Sequence, residues 1–397
     1  MGLQNNFGCI NGNLGKKSRK RGKRRKKEEL RIELPDSEKI PPKCPHFGVC
    51  GCCSFQDIPC QKQIKFKKSL LKEILGMDIE VIPSPKIYGC KNRIDLTVSD
   101  EGIGYRPKGM WWKSIDIAEC PVFGEKAKAA IVGARQMISQ RKLSPWNLRK
   151  NEGFLRYIVL REGKFSGELM VSVVTTEGEF DCPNEYFSAD SLYHLVCPIS
   201  GDTSFGEKKN FWGQEHICET LNGINYLIGP NSFFQTNSHQ AENLIKKVSE
   251  FVGEGSEKVL DMYCGLGTFG IFLAKKGYYV KGVDSNPEAV ALANRNAVFN
   301  RVERRSEFFV GEDRAVEELD FDAVILDPPR AGLHPRLTKR LLRAMPKKII
   351  YVSCNPKSLA EDLKKLSEGY LLKDKIAFDM FPHTPHIETV VSLEKRR

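Results

Sequence analysis

Val324-Ile325-Leu326-Asp327-Pro328-Pro329-Arg330 decides how this chain folds. An apolar run of branched residues, with charge upstream of it, reads as a strand buried on both faces. Proline cannot continue a hydrogen-bond ladder, so the strand ends there. Asp327 is thereby carried to the carboxyl end of a buried strand, where open α/β sheets bind ligands. The next strand candidate, Ile349-Ile350-Tyr351-Val352-Ser353, ends the same way, at Cys354-Asn355-Pro356. An acid and a thiol thus hold the same relative place on two successive strands. If those strands are neighbours, the two groups face one pocket.

Upstream of that stretch the chain has a βα period from Ser238 onward. A helix over 239–251 leads into the strand Lys258 to Tyr263, then a glycine loop, a helix and the strand Tyr279 to Asp284. A further helix starts near Pro287, and Ile387 to Leu393 reads as a last strand. This pattern predicts an α/β fold with a doubly wound parallel sheet. The loop Asp261-Met-Tyr263-Cys-Gly265-Leu-Gly267-Thr268-Phe-Gly270 follows a strand and opens a helix. Its glycines allow a sharp turn and close approach of a ligand. Dinucleotide, phosphate and methyl-donor sites all use such a loop. Asp284, 19 residues past Gly265, adds a strand-end carboxylate placed for ribose hydroxyls. Asp313, after Phe308-Phe309-Val310, is a third strand-end acid, suited to an adenine amino group. The acid at the end of the first strand is more typical of S-adenosylmethionine sites than of NAD sites, because no phosphate has to be neutralised there.

The 397 residues suffice for two domains. Between Val81 and about Gln235 short alternating runs suggest antiparallel strands and hairpins, interrupted by a helix around Glu125 to Arg141. Residues 61–75 read as an amphipathic helix with a basic outer face. No apolar run is long enough to span a membrane and no signal peptide is visible, so the expectation is a cytoplasmic protein and a monomer. The net charge is +12, which points to a polyanionic partner. Residues 1–39 carry 12 Lys and Arg against 5 Asp and Glu, more than half of that excess, in a stretch without hydrophobic period. Such a tail is expected to be disordered and to serve either as a solvated arm or localisation tag, or as a phosphate-binding arm. Thirteen cysteines, an odd number in a long chain, suit a metal cluster plus a reactive thiol better than a disulfide framework.

Three runs, taken together, resemble one family: Asp327-Pro-Pro-Arg-Ala-Gly-Leu, Tyr351-Val-Ser-Cys354-Asn-Pro, and Pro382-His-Thr-Pro-His386-Ile-Glu388-Thr-Val. They resemble the RNA 5-methyluridine methyltransferases, the uracil-C5 enzymes of transfer and ribosomal RNA. The likeness extends upstream through Phe234-Gln235-Thr-Asn237 and covers about residues 41–397. It implies a C-terminal Rossmann-like S-adenosylmethionine methyltransferase domain, 236–397, preceded by a β-rich RNA-binding domain with an iron–sulfur loop, 40–235. It also implies Cys354 as the nucleophile that adds to uracil C6, and Glu388 as the base that removes the C5 proton. Asp327 and Gln235 match positions around the cofactor and target base. Tyr263, Gly265, Gly267, Thr268, Asp284 and Asp313 match the cofactor side, with Tyr263 and Thr268 standing where the ribosomal RNA enzymes often have Phe and Asn.

Cys44-x5-Cys50-x2-Cys53 resembles the iron–sulfur loop of part of this family, whose fourth ligand lies in a later Cys-Pro motif, here Cys120-Pro121. Four thiolates fit a [4Fe–4S] cluster and also a structural zinc; the family comparison favours iron. Cys52, which replaces a usual glycine, and Cys60 are competing ligands. Tyr88, Arg93, Tyr105 and Arg106 stand in family-like motifs that could stack on or clamp RNA, rRNA or tRNA alike. Two other classes stay open: an amino-group methyltransferase of nucleic acid, which has no use for Cys354 or Glu388, and a non-catalytic RNA-binding iron–sulfur protein.

Overall fold

The computed structural model describes residues 35–396 except 108, 111, 198–201, 255–256 and 313–320. The basic tail and Asp313 therefore lie outside the described residues, apart from the tail's last five positions. Helix α1 (Cys60–Leu75) precedes β1 (Val81–Ile82), β2 (Arg93–Ser99), β3 (Gly102–Tyr105), β4 (Ile115–Asp116) and α2 (Glu125–Arg141). Then come β5 (Leu155–Glu162), β6 (Leu169–Thr175), β7 (Ser191–Val196), β8 (Glu207–Gly213), β9 (Ile217–Leu221) and β10 (Ile224–Ile228). The C-terminal part runs α3 (Ser238–Val252), β11 (Lys258–Met262), α4 (Thr268–Lys275), β12 (Tyr279–Asp284), α5 (Pro287–Phe299) and β13 (Ser306–Val310). It ends with β14 (Ala323–Leu326), α6 (Pro335–Ala344), β15 (Lys348–Ser353), α7 (Pro356–Leu366), β16 (Tyr370–Phe378) and β17 (Glu388–Lys395).

The C-terminal sheet has the order β1-β16-β17-β15-β14-β11-β12-β13. It is doubly wound about β11 and β14, with β17 antiparallel to both neighbours. The deciding stretch behaves as its composition requires. Ile325 faces one core with Ile350 and α3 residues such as Leu244. Val324 and Leu326 face the opposite core with Leu337, Leu341 and Leu359 of α6 and α7. Each such side chain, fully buried, contributes about 1.5–3 kcal/mol. The proline after Cys354 both stops β15 and starts α7, since an N1 proline loses no helical bond. Asn355 caps that helix through the Lys357 amide, a contact of about 1 kcal/mol.

A seven-stranded sheet, β4-β3-β2-β5-β6-β7-β8, packs its inner face on α2. Three details depart from the sequence reading. β6 and β7 run parallel, where only hairpins were expected. Val81 and Ile82 leave the central region and pair with β16, a strand whose largely exposed first half carries no clear alternation. On α1, Lys67 is fully buried against Asp379 rather than on the basic face.

Candidate active site

β14 and β15 are parallel neighbours with Leu326 opposite Tyr351. Asp327 and Cys354 therefore emerge side by side at the same sheet edge. A hydrogen bond from Asn355 Nδ2 to the Arg330 carbonyl, 2.8 Å, ties the two loops together. Antiparallel β17 lies on the other side of β15 and begins there with Glu388, opposite Phe378. Gln235 reaches the same point from the segment before α3, its Nε2 donating to Asp327 Oδ2 at 3.2 Å. Four of the expected residues thus come together from positions up to 153 apart in the chain.

The electrostatics of this group are tight. Burial pushes the Asp327 carboxyl up to about 7, with the Gln235 amide pulling the other way. Glu388 is 3% exposed; burial first and Asp327 second raise it well above the usual carboxylate range, against the opposing pull of Arg330. Burial, then the Glu388 and Asp327 charges, raise the Cys354 thiol, while the charge of the nearby Arg330 guanidinium works to lower it. Arg330 also donates through Nη2 to His386 Nδ1 at 3.2 Å. His386 can accept because burial, with Arg330, pushes it down to about 4. Arg330 is the residue that sequence reasoning passed over, although it stands in the deciding stretch, three positions past Asp327. A cation beside a thiol is what a nucleophilic cysteine needs.

Of the cofactor-side residues, Tyr263 and Asp284 wall an adjoining cleft of about 590 Å³, with Gly311, Pro329, Arg336 and Arg340 among the rest of its lining; Gly265, Gly267 and Thr268 shape the loop beside it rather than its wall. Asp284 Oδ2 accepts the Gly265 amide at 3.0 Å, which fixes its carboxylate at the rim. Gly267 has φ of 78°, and an added Cβ would meet Ile271 and Phe308 at 2.9 Å, so both turn and packing demand glycine here. Thr268 opens α4 and is buried, its carbonyl accepting from Tyr226 Oη at 2.9 Å; its role is more in holding the loop than in lining the cleft. Asp261, wholly buried, accepts the Gly270 amide at 2.9 Å, and burial pushes its carboxyl up to about 8. The cleft wall carries the Asp284 and Glu312 acids together with the cations Arg336 and Arg340, and its volume suits a nucleoside-sized ligand.

A second cluster lies under the central sheet. Cys44, Cys50, Cys52, Cys53 and Cys120 line one pocket with Tyr105, and all five are free thiols. Lys91 Nζ donates to Cys52 Sγ at 3.2 Å. Burial works against the Lys91 ammonium, but Cys52, Cys53 and Cys120 outweigh it and hold its pKa above the ordinary lysine value. Cys60 begins α1 and is not on the pocket wall; Cys52 is. Among the described residues, no three His, Cys, Asp or Glu side chains are set around a single ion. Four predicted ligands and a fifth thiol nonetheless line one pocket, with the Lys91 ammonium bonded to one of the thiols.

The four expected RNA contacts are engaged within the chain. Tyr88 packs tilted against His383 with ring centroids 4.8 Å apart, Arg93 lies over Phe205 at 4.4 Å, Tyr105 faces Cys120, and Arg106 pairs with Asp202. Phe233, two residues before Gln235, is instead 67% exposed.

A family profile described as tRNA (Uracil-5-)-methyltransferase matches residues 205–396. The tRNA (uracil(54)-C(5))-methyltransferase of Pyrococcus abyssi is 52% identical over 94% of this chain and 90% of its own length. The 23S rRNA (uracil(747)-C(5))-methyltransferase of the same organism is 38% identical over 90% of this chain and 87% of that protein. The crystal structure of the P. abyssi tRNA (uracil-54, C5)-methyltransferase in complex with S-adenosyl-L-homocysteine superposes with a TM-score of 0.80 at 53% identity. That match covers 87% of this chain and 86% of the other.

Proposed function

Because the chain belongs to the tRNA (uracil-5-)-methyltransferase family, we propose that it methylates C5 of a uridine in structured RNA, using S-adenosylmethionine, through a covalent bond between Cys354 and uracil C6. The observation that carries this reading is the meeting of Cys354, Glu388, Asp327 and Arg330 at one sheet edge. S-adenosylmethionine, when bound, supplies an electrophilic methyl group. The protein's residues make C5 able to take it. Cys354, offset by Arg330, adds to C6, and the electron pair it displaces gives C5 enolate character. Gln235 and Asp327 present an amide and a carboxyl to the polar edge of the pyrimidine. Glu388 removes the C5 proton, the C5–C6 double bond re-forms and the thiolate leaves. Phe233 offers a ring on which a base can stack. An amino-group methyltransferase or an idle RNA-binding protein would leave the thiol, the base and the arginine without a task.

Within this reading, 40–235 grips RNA and 236–397 carries the transfer, in a monomer working in the cytoplasm. No helix among the described residues is long and apolar enough to cross a membrane. Transfer RNA is the favoured substrate, since the tRNA relative is 52% identical and the ribosomal one 38%. Incubation with labelled cofactor and either a tRNA transcript or a 23S rRNA fragment tests it. Mapping is expected to find 5-methyluridine in the tRNA at uridine 54. Label on an exocyclic amine, or in neither RNA, would overturn the proposal.

Cys44, Cys50, Cys53 and Cys120 would hold a [4Fe–4S] cluster, with Lys91 balancing part of its negative charge. Protein purified without oxygen is expected to be brown and to carry about four irons per chain. Stoichiometric zinc, with no iron after anaerobic reconstitution, would sink that assignment.

A further inference from the structure

We propose that the cysteine loop together with the turn and helix start that follow it, 44–63, is the positioning frame of the base pocket: it places Glu388 through Gln63 and His383, and Gln235 through Lys91 and Asn92. The inference rests on the reading of Glu388 as the base. Directly after the loop, the Ser54 and Phe55 amides both donate to the His383 carbonyl, at 2.8 and 3.0 Å. Gln63 closes the contact from α1. Its Oε1 accepts the His383 amide at 2.9 Å, and its Nε2 donates to the Phe55 and Ile58 carbonyls, both at 2.8 Å. His383 is 1% exposed and has φ of 63°, a left-handed conformation that histidine keeps only when its surroundings impose it. Five residues later the chain reaches Glu388. A buried ion pair, Lys67 with Asp379, pins the other end of the same loop.

The second arm starts at Lys91, whose ammonium bonds to Cys52. Its backbone forms a bridge with Asn237 and accepts no slack there, because the Asn92 amide donates to the Thr236 carbonyl at 2.8 Å. Asn92 Nδ2 then donates to the Gln235 carbonyl at 2.7 Å. The loop is thus bonded to the Lys91 arm through Cys52 and to the His383 arm through the residues directly after it, and none of 44–53 lines the cofactor cleft. Residues 320 apart in sequence are joined by these bonds. A frame of this kind suits a reaction in which one base must meet one proton: a small misplacement of a reacting group is costly to rate.

Full-length Gln63→Leu, assayed on tRNA with labelled S-adenosylmethionine, tests the proposal. It is expected to form the methylated RNA–Cys354 adduct but to release it about 10- to 100-fold more slowly. Linked RNA should therefore accumulate on a denaturing gel. Hydrogen exchange should quicken in the peptide over 379–389, while cofactor affinity stays unchanged. Tyr88→Leu, which removes the ring packed against His383 but no buried hydrogen bond, is expected to give the same pattern at smaller amplitude, and decides the matter if Gln63→Leu does not fold. Wild-type release with wild-type exchange overturns the proposal. So does a parallel loss of cofactor affinity and adduct formation, which is the mark of general damage. Glu388→Gln runs alongside. If it accumulates linked RNA and the frame variants do not, only the frame is refuted; if it accumulates none, the base assignment fails and the frame falls with it.

Discussion

Cys354→Ala is expected to abolish methyl transfer while leaving S-adenosylmethionine binding nearly intact. The thiol stands at the end of β15, whereas the cofactor cleft is walled from β11, β12 and the loop after β14. Deleting one sulfur from a half-buried turn removes no helix cap, because Asn355 and Pro356 start α7 without it. Thermal stability should change little. Without the thiolate, C5 has no source of electron density, since a carboxylate is a far weaker nucleophile toward C6 than a thiolate. The measurement is multiple-turnover methylation beside cofactor binding by calorimetry. Full activity in Cys354→Ala would rule out covalent catalysis by this thiol and revive the amino-group reading.

Glu388→Gln is expected to behave in the opposite way. Nucleophile and methyl donor remain, so transfer proceeds, but the product stays linked to Cys354 because the C5 proton has no acceptor. Loss of a positioned base slows its step by about 10²- to 10⁴-fold. The adduct should run as a protein–RNA species on a denaturing gel, and Cys354→Ala/Glu388→Gln should show none. The pKa direction adds a pH test. A base must be ionised to work. Burial and Asp327 raise Glu388, so its ionised fraction grows over a higher pH range than that of an ordinary carboxylate. Release in the native protein should therefore quicken with rising pH, and that dependence should vanish in Glu388→Gln. The Cys354 thiol is also raised, so adduct formation should keep its own rise with pH in the variant. Rapid release by Glu388→Gln, with the native pH profile, would remove Glu388 from the base role.

Much of this architecture is legible in local pattern. Three or four apolar residues ended by proline specify a buried strand, its end and the group delivered there; Asp327 and Cys354 follow from that alone. Asn355-Pro356 and Asn286-Pro287 announce helix starts because capping and proline geometry act within one turn. The glycines at 265 and 267 are read from backbone freedom, also a local property. The thiol set 44, 50 and 53 is a matter of spacing within ten residues.

What folding adds lies in partners chosen over long distances. Gln235 meets Asp327 across 92 residues, and His383 meets Gln63 across 320. No periodicity carries such information, because it depends on which segments the cores bring together. Lys67 looked like part of a basic face until α1 docked and turned it toward Asp379. β16 escaped notice because its first half is exposed and its second buried, a pattern set by β1 and β17 on either side. Arg330 gained its place beside Cys354 only when β14 and β15 paired in parallel. Local sequence chose the reactive groups, since residue type and strand ends are written there. Their protonation, their mutual reach and the frame that holds them came from packing, since burial and charge proximity exist only once distant segments are in contact.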